Sequence, residues 1–307
     1  MEDLEAEIAR MWNQPLSFSD RLKGDLLWAW RLVERSRNYD AVVAGSDRMS
    51  RLFGVAQRVL RRKRVPLLFI DWYCEPCGGR LRRRIQRTGL RWALRGATAA
   101  IVQGKDEIAA FANELGVPAS KFIFLPYHST LYDFQYAVEE GDYIFTGGDT
   151  HRDYATLIEA VRGLPYRVVI GALSRNHFHG IQVPENVDIV TLSLSDFFQK
   201  MAGAALVVVP MLPSFLHPGG QQTWINAMSM GKPVIVAEDR SACDYIVHGS
   251  TGWLVKPGDP TALREAVSLL MEDRHLARTM GRRAKEAAAA FAPEAFFEKV
   301  FALIDGS

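Results

Sequence analysis

Residues 205–255 read ALVVVPMLPSFLHPGGQQTWINAMSMGKPVIVAEDRSACDYIVHGSTGWLV, and few folds accommodate them. The short β-branched run ending at Pro210 predicts a strand buried on both faces. Gly219-Gly220 then opens a helix through Asn226 and Met230, and Gly231-Lys232-Pro233 breaks it. A second buried strand, PVIVAE, leads through Gly249 and Gly252 into a third, GWLV. A strand that ends in a glycine loop and runs into a helix N-terminus makes an anion site. The glycines let the backbone approach, the first amides of the helix have no intrahelical acceptor, and the helix dipole favours negative charge. A nucleotide diphosphate is the natural guest.

The rest of the chain extends this pattern. Residues 1–38 read as helical, with Trp12, Leu26, Leu27 and Trp30 as apolar anchors. Strands DAVVAG, PLLFID, TAAIVQG and FIFLP then alternate with helices. Lys105-Asp106-Glu107 starts one of these helices, and Gly116 with Pro118 stops it. A second series begins near residue 141 with DYIFTGG, followed by RVVIGAL, VDIVTL and the stretch above. The restart predicts an α/β protein of two Rossmann-like doubly wound domains facing a cleft. The boundaries expected are 1–140, 141–285, and a closing helical segment, 286–307, packing back on the first domain. The acidic stretch Glu139 to Asp142 reads as the linker.

Composition narrows the setting. The chain has 307 residues and a formal net charge of +2, but residues 51–100 hold thirteen Lys or Arg against two acids, a local +11. The remainder therefore carries −9, an asymmetry that points to an anionic partner for the first half. No apolar run reaches a membrane span, and the start MEDLEAEIAR does not read as a signal peptide. The three cysteines predict reduced thiols in a cytoplasm, and Cys74-Glu-Pro-Cys77 has no second pair to complete a metal site.

Several elements match a family pattern residue by residue. They are Pro213-Ser214, Gly219-Gly220, Ala227-Met228, Gly231-Lys232-Pro233-Val234, Asp244 to Val247, Gly249, Thr251-Gly252, Leu254-Val255 and Pro257-Gly258-Asp259. In this order they resemble the donor half of retaining GT-B glycosyltransferases of family four, group 1. The match is strong over residues 141–285, weaker over 40–130 and absent earlier, so the resemblance implies a shortened N-terminal domain. It also implies a nucleotide-diphosphate sugar as donor, retention at the anomeric carbon, and neither an obligatory metal nor another cofactor.

Site residues follow from both sources. The amides of Gly219, Gly220, Gln221 and Gln222, with the Thr223 hydroxyl, are expected to hold the donor's phosphates or sugar; a plain helix-capping turn is the other reading. The family's two acids are replaced: the second falls on Asn226, which can bond a hydroxyl only as a neutral group. The first falls on Pro218 or, with a one-residue slip, on His217, a candidate to donate to a sugar hydroxyl or phosphate. After the strand DYIFTGG, Gly147 and Gly148 precede Arg152, the candidate cation for the departing diphosphate, with Arg175 as a second. Both arginines also suit surface ion pairs with Asp149 or Asp153. Leu192, within 191–194, marks where a base would be gripped. Asp244 either caps the helix that follows it or touches ligand. On the acceptor side Asp71, His128, Ser46 and Asp47 are candidates, each with a structural reading beside it.

The segment RLRRRIQRTGLRWALRG places Leu81, Ile85, Thr88 and Trp92 on one helical stripe. Arg80, Arg82, Arg83, Arg84, Arg87 and Arg91 flank it, and Arg61, Arg62, Lys63 and Arg64 add to the charge. A basic amphipathic helix with an interfacial Trp suits an anionic membrane surface on its inner face. The other reading is a helix that buries its stripe in its own domain. A nucleic-acid-binding motif is absent from the sequence.

The resemblance and the residues together predict sugar transfer to an acceptor hydroxyl, on a lipid-linked sugar, a polysaccharide precursor or a small metabolite. A nucleotide-sugar-binding partner protein without turnover and a GT-B-like nucleotide-sugar epimerase are the alternatives.

Overall fold

The computed structural model describes residues 18–45, 48–60, 65–72, 78–131, 134, 136–213, 219–238 and 241–306, with the backbone alone at 18–23, 175 and 176. Trp12, Ser46, Asp47, residues 61–64, Cys74, Cys77 and His217 lie outside this set. The described chain divides into two compact units, one of residues up to 101 with 111–123, the other of 102–110 with 124–306.

The first unit carries a four-stranded sheet in the order β1 (Val42–Ala44), β2 (Leu67–Phe69), β3 (Ala99–Val102), β4 (Phe122–Phe124). The β1–β2 and β2–β3 pairs are parallel, with Val42 opposite Leu67 and Leu68 opposite Ala99. Helices α1 (Phe18–Ser36), α2 (Arg48–Val59), α3 (Arg80–Gly96) and α4 (Lys105–Leu115) separate these strands or precede them. Helices α2 and α3 touch backbone to backbone, because a Cβ on Gly96 would lie 1.8 Å from the Gly54 carbonyl oxygen. An aromatic cluster closes the other end: Phe69 meets Trp72 at 5.2 Å and Phe111 stacks on Phe122 at 5.8 Å. In α1 the residues turned inward are Ala29 and Val33, while Leu26, Leu27 and Trp30 are 57%, 48% and 46% exposed. The apolar anchors expected there are therefore not anchors within this unit: the helix presents small and β-branched residues inward instead.

The second unit is built on a six-stranded sheet. Its strands are β5 (Ile144–Gly147), β6 (Val168–Gly171), β7 (Val187–Val190), β8 (Leu206–Val209), β9 (Val234–Ala237) and β10 (Trp253–Val255). The spatial order is β10-β9-β8-β5-β6-β7, and every pairing is parallel. Counted from β5, this is the doubly wound order, which reverses direction between β5 and β8. All residues of β5, β6, β8 and β9 are buried, as a sheet covered by helices on both faces requires. The helices of this unit are α5 (Tyr154–Val161), α6 (Leu194–Ala202), α7 (Gln221–Ser229), α8 (Ala242–Tyr245), α9 (Pro260–Glu272), α10 (Arg274–Ala288) and α11 (Pro293–Asp305). Asp153, Ser193, Asp259 and Asp273 cap α5, α6, α9 and α10 by accepting a first-turn amide.

Residues 124–140 count with this second unit rather than preceding it. Leu131 joins its core, Phe134 meets Phe198 edge-on at 4.6 Å, and the Glu139 amide donates to Ala202 O at 3.2 Å. The closing helix α11 also belongs here, where Phe296 packs on His128 at 4.8 Å. Among the described residues no helix is long and apolar enough to cross a membrane.

Candidate functional site

A cavity of about 540 Å³ opens in the second unit at the carboxyl ends of β5 and β6, beside the point between β5 and β8 where the strand order reverses. This is the crevice in which open α/β sheets bind ligands, and the volume suits a cofactor-sized guest. Three segments shape one end of it: the loop after β5, the first turn of α7, and the start of α6.

The loop after β5 leaves the sheet at Gly147-Gly148. Gly148 adopts φ +104, a left-handed conformation that a side chain resists, and a Cβ there would lie 2.7 Å from Arg152 Nη2. Arg152 itself is only 7% exposed. Its Nε donates to Gly147 O at 2.9 Å, Nη1 to Thr150 O at 2.8 Å, and Nη2 to Thr223 Oγ1 at 2.9 Å. These neutral oxygens orient the guanidinium on the cavity wall. The surface-pair reading of Arg152 fails because the residue is buried. Asp153 instead caps α5 through Thr156, and Asp149 accepts from the Leu173 and Ser174 amides at 3.2 and 2.9 Å. Asp149 also meets His177 Nε2 at 3.3 Å, which ties the β5 loop to the loop after β6. Burial pushes the Tyr154 phenol well above its ordinary range, and its hydroxyl donates to Gly148 O at 2.5 Å.

Helix α7 begins at Gly220, whose φ of +84 places it in the left-handed region. A Cβ there would sit 2.9 Å from Met211 Sδ, so glycine is required by both torsion and space. Gly220, Gln222, Thr223 and Asn226 line the cavity; the Thr223 amide turns back to Gly220 O at 2.9 Å, and the amides of Gln221 and Gln222 open the helix ahead of it. The Gln221 side chain does not line it: it is buried and Nε2 donates to Ser241 Oγ at 3.4 Å. A Cβ on Gly219 would crowd the same methionine, 2.7 Å from Met211 Cε.

Asn226 differs most from expectation. It is buried; its Oδ1 accepts from Ser129 Oγ and the Thr130 amide, both at 3.0 Å, and its Nδ2 donates to Thr130 Oγ1 at 3.0 Å. The amide therefore ties α7 to residues 129–130, with both Oδ1 lone pairs and one Nδ2 proton engaged.

Much of the remaining lining is apolar. Leu173, Leu192, Leu194 and Phe197 form it beside Ser193, and Leu173 and Leu194 stand 73% and 61% exposed. The cavity thus offers a cation, a hydroxyl and a helix dipole together with apolar surface. Leu192 lines the cavity. The neighbouring Leu173 and Phe197, and the bracing role of Asp149, escaped sequence reasoning; their position just past strand ends or on the first turn of a helix was the available signal.

Other expected site residues lie elsewhere. His128 stacks flat on Tyr127 at 5.2 Å and its Nδ1 lies 2.9 Å from Ser129 O, away from the cavity lining. Its aromatic neighbours explain why it is there. Arg175 opens a 3-10 turn, Arg175–Phe178, described by its backbone alone. Asp244 lies within α8 and does not cap it: Oδ2 accepts from the Lys105 amide at 2.8 Å and Oδ1 pairs with Lys105 Nζ at 3.1 Å, at the start of α4. Asp71, in the first unit, is exposed at the carboxyl end of β2 with φ +56. Cys243 is an exposed free thiol, and among the described residues no group of three His, Cys, Asp or Glu is placed to hold a metal.

Comparison with known proteins accords with this geometry. Residues 196–287 match the family described as glycosyl transferases group 1, and residues 2–128 match the glycosyl transferase 4-like domain. The second match begins before residue 40, where the sequence reading finds no resemblance. The chain is 31% identical over 134 residues to the D-rhamnosyltransferase WbpZ of Pseudomonas aeruginosa, covering 42% of this chain and 35% of that protein. It is 37% identical over 62 residues to the N-acetyl-alpha-D-glucosaminyl L-malate synthase of Bacillus anthracis, covering 20% of this chain and 16% of that protein. The matches to these relatives thus span about a third of their length or less. Among solved structures, Anabaena HepE in complex with UDP and glucose superposes with a TM-score of 0.72 at 18% identity, covering 91% of this chain and 81% of that one. Sucrose-phosphate synthase from Thermosynechococcus elongatus gives 0.71 at 18% identity, covering 90% and 76%. With both family matches and the two parallel-sheet α/β units in place, the chain carries a group 1 glycosyl transferase domain over residues 196–287 and a glycosyl transferase 4-like domain over residues 2–128.

Proposed function

We propose that the chain transfers a glycosyl group from a nucleoside-diphosphate sugar, bound in the cavity of the second unit, to an acceptor hydroxyl. The observation that carries this reading is the buried Arg152, held against Thr223 at the N-terminus of α7. As the bond between the anomeric carbon and the phosphate oxygen breaks, the leaving diphosphate gains a negative charge. A preorganised guanidinium and helix-terminal amides stabilise that charge without reorganising, typically by a factor of about 10² to 10³ for one such donor. Arg152 and α7 thereby take the part that a metal ion plays elsewhere, and transfer should proceed in the presence of EDTA. The apolar wall at Leu173, Leu192 and Leu194 suits the face of a base. Retention at the anomeric carbon follows from the family resemblance.

HepE was solved with UDP and with UDP-glucose, which makes UDP-sugars the first donors to try. The relatives include a capsular polysaccharide biosynthesis glycosyltransferase of Staphylococcus aureus, so lipid-linked and polysaccharide-precursor acceptors come first. The test is a thermal-shift panel of UDP-, GDP-, ADP- and CDP-sugars followed by product analysis with acceptor present. Saturation at a hundred times the dissociation constant stabilises by about 2.7 kcal/mol, a readable shift. Failure of every donor to bind would overturn the site.

One observation favours a second reading. Asn226 stands where the resembling enzymes carry an acid, and its amide is committed to Ser129 and Thr130. A protein that binds nucleotide sugar without turning it over would show the thermal shift and yield no product with any acceptor.

A further inference from the structure

Helix α3 turns Leu90, Ala93 and Leu94 inward, and its other apolar residues do the opposite: Leu81, Ile85 and Trp92 are 73%, 65% and 42% exposed. An amphipathic helix ordinarily buries such a stripe in its own domain. Here the stripe, with Val55 of α2, lines an open groove of about 600 Å³. Alongside it Arg80, Arg83, Arg84, Arg87 and Arg91 line a second hollow of about 550 Å³, and Arg84 and Thr88 border both. The seventeen-residue helix holds seven arginines and no acid.

The chain neutralises little of this charge. Arg87 meets Glu114 at 3.4 Å, Arg83 Nε donates to Gly78 O at 3.1 Å, and Arg91 Nε donates to Leu115 O. Arg80, Arg82 and Arg84 have no carboxylate partner among the described residues. Exposed apolar residues set between unneutralised cations need a partner that supplies hydrocarbon and phosphate side by side. Nucleic acid supplies only the second.

We propose that this face of α3 docks on an anionic lipid bilayer. Leu81, Ile85 and Trp92 enter the interface and the flanking arginines meet headgroup phosphates. The docking deepens the glycosyl-transfer reading by favouring acceptors carried in the bilayer; it rests on that reading only for its purpose, since the surface stands without it.

Sedimentation of the full chain with mixed phosphatidylcholine–phosphatidylglycerol vesicles, and with phosphatidylcholine alone, tests the proposal. The chain should sediment with the anionic vesicles, not with the neutral ones, and less in high salt. At the usual contribution of a basic residue near such a surface, Arg80→Gln with Arg84→Gln should lower partitioning about 30-fold. Leu81→Ser with Ile85→Ser should lower it by more than about tenfold, because two largely exposed side chains lose their place in the interface. All four positions are exposed, and unchanged circular dichroism and nucleotide affinity would show the variants folded. Absence of wild-type binding, equal binding to neutral vesicles, retention by either variant, or complete displacement by inorganic phosphate would each overturn it. Donor binding is read separately by calorimetry, so loss of vesicle binding with donor affinity intact condemns this inference alone, and the converse condemns the functional reading alone.

Discussion

Arg152 Nη2 donates to Thr223 Oγ1 at 2.9 Å, and this one bond joins the loop after β5 to the first turn of α7. The two segments lie seventy-one residues apart in sequence. Their junction fixes a buried guanidinium beside the helix N-terminus, so charge and dipole act on the same point of the cavity wall.

Thr223→Val keeps the shape of the side chain and removes the acceptor. The guanidinium loses one of its three named oxygens, a change worth about 1–2 kcal/mol for a bond to a charged group. Calorimetry should find nucleoside-diphosphate affinity lowered about tenfold, with the fold intact. Unchanged affinity would mean that Arg152 does not depend on Thr223 for its place.

Arg152→Lys preserves the charge and loses the fork that reaches Gly147, Thr150 and Thr223 together. An ammonium cannot reproduce that planar geometry. The turnover number should fall by about 10² or more, in the range seen for a lost charge-stabilising donor, while ground-state donor binding falls less. Steady-state kinetics separates the two.

Gly220→Ala meets a φ of +84 and a Met211 sulfur 2.9 Å from the new carbon. A non-glycine residue held in such a conformation costs about 1–3 kcal/mol. Urea denaturation should show that loss. At Gly163, whose φ is +72 but where an added Cβ meets nothing within 4 Å, alanine should cost less. Equal losses would show that the crowding at Met211 counts for nothing.

Burial pushes the Lys232 ammonium down to about 8, against a smaller upward pull from Glu140. It donates to Ala204 O at 2.9 Å and to Glu139 O. Because the folded value lies below the unfolded one, the unfolded chain binds the extra proton between about pH 8 and 10.5. Stability from this group therefore rises with pH across that window, and the penalty for burying the charge is fully present below pH 8. Urea midpoints across that window should rise in the wild type relative to Lys232→Met. Parallel curves would refute the shift.

Much of this was legible residue by residue. The runs ALVVVP, PVIVAE and RVVIGAL announce buried parallel strands through apolar continuity. Gly220 marks the start of α7 because glycine alone enters the left-handed region readily. Arg152 came from the cation position of the family resemblance and Leu192 from its place beyond a strand end, where an open α/β sheet faces its crevice; both line the cavity. What eluded sequence reasoning was side-chain commitment. Asn226 looked like a ligand for a hydroxyl, but Ser129 and Thr130 take its amide. Asp244 looked local, and it caps a helix 139 residues away in sequence.

Periodicity, glycine placement and charge bias are local quantities, so the chain's own order of residues suffices to announce strands, helix starts and the basic face of α3. Whether a polar group meets a ligand or a neighbour, and whether Leu81 and Trp92 face a core or solvent, depends on which distant segments pack beside them. Those contacts form only on folding, because each buried donor and acceptor must find its partner among groups far off in the chain.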